Sequence, residues 1–165
     1  MGEPARLSTL AATSPVGVVI DDDRPTFVWS GLSSGAEYRV SIFDEAFEPV
    51  AESGWQTDVR WTIDRRLARG KSYTWQVTAR TDGRETTVPA PPQPEARFSV
   101  TSVEQSAQLA DFRRRAGESH LALAVLLAEA GVLDEAEREL TLASAANPSS
   151  SAVKRLQTSL SALRR

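Results

Sequence analysis

The densest group of side chains that could bind an ion is the acidic run Asp21-Asp22-Asp23. A calcium ion needs several oxygen ligands that converge on one point, and calcium-binding loops space those ligands as Asp-x-Asp-x-Asp-Gly. Three consecutive aspartates do not have that spacing, so a solvated turn before the strand at Thr26 is the better interpretation. We therefore predict no metal ligand in this run.

Catalysis would need a nucleophile, a base or a pair of carboxylates held together. His120 is the only histidine and cysteine is absent, which excludes thiol catalysis, disulfides and cysteine-ligated metals within this chain. Ser119 cannot be oriented by His120, because adjacent helix residues face different directions. The pair Asp44-Glu45 has no pocket signature around it. We predict no catalytic residue, no cofactor-binding residue and no cofactor, and we expect that the protein is not an enzyme.

The charge balance argues against a nucleic-acid partner. The 165 residues include 19 basic and 22 acidic side chains, which gives a net charge of −3 at neutral pH. The run Arg113-Arg114-Arg115 is interpreted as the C-terminal end of a helix, where cations interact favourably with the helix dipole. No run of about 18 apolar residues is present, so we expect no direct insertion into a membrane.

Aromatic side chains are the better candidates for binding. Phe43 does not share the parity of Tyr38 and Ile42, so it should face away from the core of a strand-rich domain. Phe47 follows in the same strand end or loop, and Trp55 comes just after a Ser-Gly turn. Exposed aromatic patches mark interfaces. We therefore predict Phe43, Phe47 and Trp55 as partner-binding residues, and the alternative is that they are buried between the two halves of the chain.

The elements that would position these residues change character along the chain. From residue 25 to residue 100 apolar side chains alternate, and the longest run is Tyr73-x-Trp75-x-Val77-x-Ala79. Alternation predicts strands with one buried face, and turn signals such as Asp82-Gly83 predict antiparallel hairpins. The prolines of residues 89–94 remove backbone donors, so we expect them to interrupt the last strand. Residues 1 to about 15 add a first strand at most.

After Ser102 the spacing of the apolar residues becomes that of helices. Ser102 and Gln105 have the spacing of a capping box, and Gly131 predicts the left-handed end of a helix. We predict that Asp134 caps the next helix, and that Ser149 or Ser150 caps the last one after Asn147-Pro148. Four helices are expected, the second of them running from about residue 118 to residue 130.

The first half resembles a fibronectin type III domain. The residues that carry the resemblance are Pro25-Thr26-Phe27-Val28-Trp29, Tyr38-x-Val40-x-Ile42, and Leu67 followed by Tyr73-x-Trp75-x-Val77. The resemblance implies an antiparallel β-sandwich over residues 15–100 and a tyrosine corner at Tyr73, in which the hydroxyl bonds nearby backbone. It implies no chemistry, because this fold hosts many unrelated functions.

Residues 117–148 resemble one tetratricopeptide repeat. Its small, bulky and proline positions are occupied by Ala124, Ala136, Leu140, Ala143 and Pro148. One such repeat cannot bury its apolar face alone. The groove positions Leu121 and Val125 are apolar, so we expect other parts of this chain to cover them. The repeat is then a docking element beside the sandwich.

The order of sandwich, proline stretch and helical repeat resembles the extracytoplasmic regions of bacterial membrane-anchored proteins of the anti-sigma type. This favours an extracytoplasmic, envelope location over a cytoplasmic one.

The sequence thus predicts an α+β protein of two modules, a β-sandwich over residues 15–100 and a helical segment over residues 101–165. We expect a non-enzymatic module for protein–protein interaction or scaffolding, part of a larger envelope-associated protein. One alternative is a carbohydrate-binding sandwich, in which Trp55 and Trp61 would lie together on one face. The other is a structural spacer with all its aromatics buried.

Overall fold

The computed structural model describes residues 8–32, 35–115 and 119–164. They form an α+β structure whose strands are mostly antiparallel. The strands are β1 Ala11–Ser14, β2 Val18–Ile20, β3 Thr26–Ser30, β4 Glu37–Phe43, β5 Pro49–Glu52, β6 Arg60–Thr62, β7 Ser72–Thr81, β8 Arg84–Val88 and β9 Ala96–Val100. The helices are α1 Val103–Arg115, α2 His120–Glu129, α3 Leu133–Ala146 and α4 Ser151–Leu163.

The chain divides into two compact units. Among the described residues, the first comprises residues 8–17 and Asp22–Val100, and the second comprises Val18–Asp21 and residues 101–164. The division differs from the predicted modules at Val18–Asp21, which group with the helices.

The first unit consists of two sheets. The smaller has the order β1-β3-β6, and the larger has the order β9-β7-β4-β5 with β8 alongside β7. On β4, Tyr38, Val40 and Ile42 are buried while the residues between them are half-exposed. This is the alternation that the sequence predicted, and it leaves Phe43 on the outer face of the larger sheet.

Aromatic rings join the inner faces of the two sheets. The ring of Phe27 on β3 lies 5.1 Å from that of Trp75 on β7 and 5.7 Å from that of Phe98 on β9. Trp29 on β3 likewise lies 5.8 Å from Tyr38 on β4. Such ring pairs stabilise a core beyond the area they bury.

A hydrogen bond from the side chain of Tyr73 fixes the start of β7. The Tyr73 hydroxyl donates to the Ala68 carbonyl at 2.9 Å, which is the bond that the predicted tyrosine corner requires. Leu67, just before this corner, is buried. The loop from β6 therefore enters β7 along a fixed path.

The proline stretch interrupts a strand, as predicted. β8 pairs with β7 from Val77 to Thr81, and β9 pairs with the same strand from Ser72 to Trp75. Residues 89–95 lie outside both strands. Proline lacks the backbone donor that a continuous ladder would use, so the chain leaves the sheet and returns to it. At the other end of the unit, β1 adds a first strand beside β3.

The second unit has its own core. Side chains from all four helices are buried in one cluster, which Val19 of β2 also contacts. The buried residues are Leu109, Ala124, Leu127, Val132, Ala136, Leu140, Ala143, Val153 and Leu160. Four of the positions that carried the tetratricopeptide resemblance are therefore helix-packing residues.

Two predicted helix caps are confirmed. The Gln105 backbone donates to Ser102 Oγ at 3.1 Å, and the Ser102 backbone donates to Gln105 Oε1 at 3.0 Å. Ser150 accepts from the Val153 backbone at 3.4 Å and caps α4. The predicted helix boundaries near residues 117 and 118 lie outside the described residues.

The predicted cap at Asp134 is wrong. Gly131 has the predicted left-handed φ of 79°, and its N–H donates to the Ala128 carbonyl while Val132 N–H donates to the Leu127 carbonyl. These two bonds form a Schellman motif. Val132 is then both the last residue of that motif and the N-cap of α3. Asp134 consequently lies inside the first turn of the helix, where it forms an ion pair with Arg164.

The prediction that the chain covers both groove positions is wrong for one of them. Leu121 packs against the helical core, but Val125 is 38% exposed. Ala124 and Leu127 occupy the buried side of α2. Val125 is one residue, about 100° of rotation, beyond Ala124, so it points away from that core.

Candidate functional site

The site begins with the tight turn between β4 and β5. Phe47 N–H donates to the Asp44 carbonyl at 3.0 Å, and Asp44 N–H donates to the Glu48 carbonyl at 3.0 Å. The Asp44 carboxylate also accepts from Ala46 N–H and Glu48 N–H through Oδ1, both at 2.9 Å. Aspartate is favoured at such turns because its side chain replaces missing backbone partners.

Phe47 has a backbone conformation that disfavours its own residue type. Its φ is +60°, the left-handed region that follows a type I turn in hairpins and that glycine adopts without steric cost. Holding an L residue there costs about 1 kcal/mol. The side chain is also 58% exposed, so burial does not repay this cost.

Phe47 and Phe43 line one cavity of about 250 Å³ on the outer face of the larger sheet. We call it the Phe43 cavity. Its other lining residues are Thr74, Trp75, Gln76, Pro89, Pro91, Gln93, Glu95 and Ala96. The cavity thus combines aromatic rings, proline rings and a few polar groups, as ligand sites commonly do.

Sheet register and the proline stretch together shape this cavity. Phe43 pairs with Thr74 across β4 and β7, so both side chains lie on the same face. Gln76, two residues further along β7, donates from Nε2 to the Pro89 carbonyl at 3.4 Å. The Gln93 N–H donates to the Ala90 carbonyl at 2.9 Å, which closes the proline segment into a turn. The floor of the cavity is therefore formed by the larger sheet, and one wall is formed by the proline segment between β8 and β9.

Trp55 lies apart from the two phenylalanines. Its ring contacts two guanidinium groups, with the Arg80 Cζ 4.1 Å and the Arg39 Cζ 4.8 Å from the ring centroid. Arg80 also forms a two-bond ion pair with Glu37, at 2.8 and 3.2 Å. Arg39 shares the outer face of β4 with Phe43 but is four residues away, about 13 Å along the strand. The structure brings Phe43 and Phe47 together and places Trp55 in a separate cation–π cluster.

Trp55 and Trp61 do not form a common platform. Trp61 is the cross-strand partner of Phe27 and stacks on its ring at 5.8 Å, with 27° between the planes. Phe27 is fully buried in the first unit, so Trp61 is directed to the inner side of its sheet. Trp55 stacks instead on outer-face arginines.

The three residues of the acidic run have different partners. Asp21 accepts from Thr101 Oγ1 at 2.7 Å, and Asp22 accepts from the Arg24 backbone at 2.8 Å. Asp23 pairs with Arg66 at 3.0 Å. In the described ranges, no three histidine or acidic side chains are grouped so that they could hold a metal ion.

His120 and the arginine run are held by acidic neighbours. His120 Nδ1 lies 2.7 Å from Glu139 Oε2 on the next helix. Arg113 pairs with Glu135 at 3.0 Å, while Arg114 and Arg115 both pair with Asp111. These contacts are those of helix-surface residues.

Sequence reasoning missed the rest of the cavity lining. Thr74 and Gln76 lie between the buried residues of the β7 alternation, yet Thr74 is only 8% exposed. The sequence predicts that the prolines interrupt the last strand, but it does not predict that they form a wall of the cavity. The available signal was parity, because Phe43, Thr74 and Gln76 all oppose the buried alternation of their strands.

Comparison with known proteins does not assign this chain to a family. No protein-family model matches the chain, and no curated protein matches it. None of the helices within the described ranges is long and apolar enough to cross a bilayer.

Proposed function

We propose that this protein is a non-enzymatic module for protein–protein interaction, and that its partner binds at the Phe43 cavity. In this proposal the first unit is a fibronectin type III-like β-sandwich, and the helical unit contains a single tetratricopeptide-like repeat. The module belongs to a larger envelope-associated protein that presents it to a protein partner.

The observation that carries the proposal is Phe47. An exposed phenylalanine stands where glycine would stabilise the turn better, and its ring forms the rim of an apolar cavity. Unfavourable backbone conformations that folding does not require point to function. Aromatic side chains, Phe included, are enriched at protein interfaces, where a few anchor residues supply most of the binding energy.

The sandwich proposal is supported by the ring contacts between the sheets and by the Tyr73–Ala68 bond. The repeat proposal is supported by the buried alanines Ala124 and Ala136, which allow α2 and α3 to approach closely. Neither support depends on the partner site.

The direct test is photo-crosslinking from position 47. Phe47 is replaced by benzoylphenylalanine in cells that make the intact protein, and crosslinked products are identified by mass spectrometry. A discrete protein partner is expected. The matched control is Val59→benzoylphenylalanine, because Val59 is exposed on the same unit but does not line the cavity.

The variant Phe47→Gly separates binding from folding. We expect affinity for the crosslinked partner to fall at least about tenfold, the effect of losing an interface anchor. Stability should stay equal or rise by up to about 1 kcal/mol, because glycine relieves the left-handed strain. A structural spacer would instead give no discrete crosslink at position 47 and unchanged affinity in any assembly.

The carbohydrate alternative has no observation in its favour, since Trp55 and Trp61 contact different neighbours on different faces.

A further inference from the structure

Two further depressions of the first unit are linked by shared lining residues to the Phe43 cavity. A narrow one shares Phe47 and Thr74 with it and is also lined by Asp44, Glu45, Ser72, Tyr73 and Arg97. A wider one of about 500 Å³ shares Asp44, Glu45 and Tyr73 with the narrow one. We call the three together the trough.

The lining of the trough changes charge along its length. The Phe43 cavity is mostly aromatic and proline surface. The narrow depression presents the carboxylates of Asp44 and Glu45. Past these carboxylates, the wide depression presents Arg65, Arg66 and Lys71. The order along the trough is therefore apolar, acidic and basic.

These charged groups remain able to bind a partner. Asp44 bonds the turn backbone through Oδ1, and Glu45 accepts a long bond from Ser72 N–H at 3.3 Å. A carboxylate has about four acceptor positions, so both can accept further donors. Arg66 is paired with Asp23, whereas Lys71 has no ion-pair partner among the described residues.

The Arg97 side chain does not cancel the acidic centre. It pairs with Glu95 at 3.0 Å, and Glu95 lines the Phe43 cavity. Arg97 and Glu95 together therefore add no net charge, and the two carboxylates of the turn dominate the middle of the trough.

We propose that the trough binds an extended peptide in which a Lys or Arg lies between an apolar residue and an acidic residue. This rests on the proposed function and names the chemistry of its partner. The apolar side chain fills the Phe43 cavity, the cation pairs with Asp44 and Glu45, and the acidic group pairs with Lys71 and the two arginines. Alternate side chains of an extended chain point the same way about 6.6 Å apart, so the three contacts fall on every second residue.

The test selects peptides from a phage-displayed library of random short peptides with the purified full chain as bait. We expect enrichment of the pattern apolar-x-basic-x-acidic, in either chain direction. The selected peptides should lose at least about tenfold in affinity for Phe47→Gly.

The second part of the test reverses the charge at the centre of the trough. The variant Glu45→Lys should weaken the selected peptides about tenfold and should shift a repeated selection away from basic central residues. The matched control is Glu85→Lys, because Glu85 is an exposed residue of β8 whose register partner, Arg80, lies at the opposite end of β7 from the trough. That variant should bind the peptides unchanged, and circular dichroism checks that both variants fold.

The outcomes separate the two proposals. Peptides that depend on Phe47 but lack a basic central residue would overturn the charge order and leave the proposed function standing. If no selected peptide depends on Phe47, both fail. Sedimentation tests whether the protein dimerises through the trough. If the protein is a dimer and the variant Phe47→Gly is a monomer, a second copy of the chain occupies the trough, and the peptide proposal is overturned.

Discussion

At the scale of single residues, Tyr73 connects the core of the first unit to the trough. Its ring stacks on Phe98 with 5.7 Å between the ring centroids, and its hydroxyl donates to the Ala68 carbonyl. Burial raises the pKa of this hydroxyl above its ordinary value of 10.0, and the charges of Asp44 and Glu45 add to the rise. The folded state therefore favours the neutral tyrosine.

This predicts a specific alkaline instability. Because the folded pKa is raised, the stabilisation is fully present below the unfolded pKa near pH 10 and is lost as pH rises through the folded pKa. Tyr73→Phe should cost about 1 kcal/mol at neutral pH through the lost hydrogen bond. It should also lose less stability above pH 10 than the parent protein does. Urea unfolding at neutral and alkaline pH measures both effects, and parallel alkaline losses in the two proteins would contradict the role of Tyr73.

At the scale of elements, the connection between α2 and α3 is shaped by one glycine. Gly131 has a φ of 79°, and a Cβ built there would lie 3.4 Å from Val19 Cγ2. The Schellman bonds around it allow two antiparallel helices to be joined by only three residues, 130–132. A short, fixed connection places Ala124 and Ala136 in the same buried cluster.

Gly131→Ala should therefore destabilise the helical unit by about 1 kcal/mol, because alanine is strained at positive φ. The helical signal in circular dichroism during urea unfolding measures this change. Gly54→Ala is the matched control, since no heavy atom lies within 4 Å of the added Cβ and its φ is not in the left-handed region. An equal loss in both variants would show that the turn conformation at Gly131 is not the cause.

At the scale of the whole molecule, a short early segment belongs to the late helices. Val18–Asp21 group with residues 101–164, and Val19 packs against the helical core. Asp21 accepts from Thr101 at 2.7 Å and pairs with Arg113 at 3.3 Å, while Arg113 also pairs with Glu135. The helical unit is thus completed by residues about 80 positions earlier in the chain.

Asp21→Ala should lower the stability of the helical unit by about 2 kcal/mol, because it removes charge-assisted bonds from a carboxylate whose side chain is 13% exposed. Asp22→Ala is the neighbouring control. Asp22 accepts a local bond from the Arg24 backbone, so we expect a change within about 0.5 kcal/mol. Hydrogen exchange of the helix amides distinguishes the two, and equal protection in both variants would contradict the prediction.

The sequence alone indicated strands in the first half and four helices in the second, because alternation and capping are local properties. The runs at β4 and β7, the caps at Ser102 and Ser150 and the left-handed Gly131 all depend on residues within a few positions of one another. Parity also placed Phe43 outside the core correctly. The cap at Asp134 failed because the Schellman motif moved the helix start to a buried valine, which no cap pattern records.

Only the tertiary structure decided which of these residues share a site. Phe43 meets Thr74 through strand register, and it meets Pro91 because the chain leaves the sheet between β8 and β9. Trp55 was separated from Phe47 by its stacking on Arg39 and Arg80. These contacts join residues tens of positions apart, and pairing between distant strands is set by packing of the whole sheet, so local spacing could not specify them.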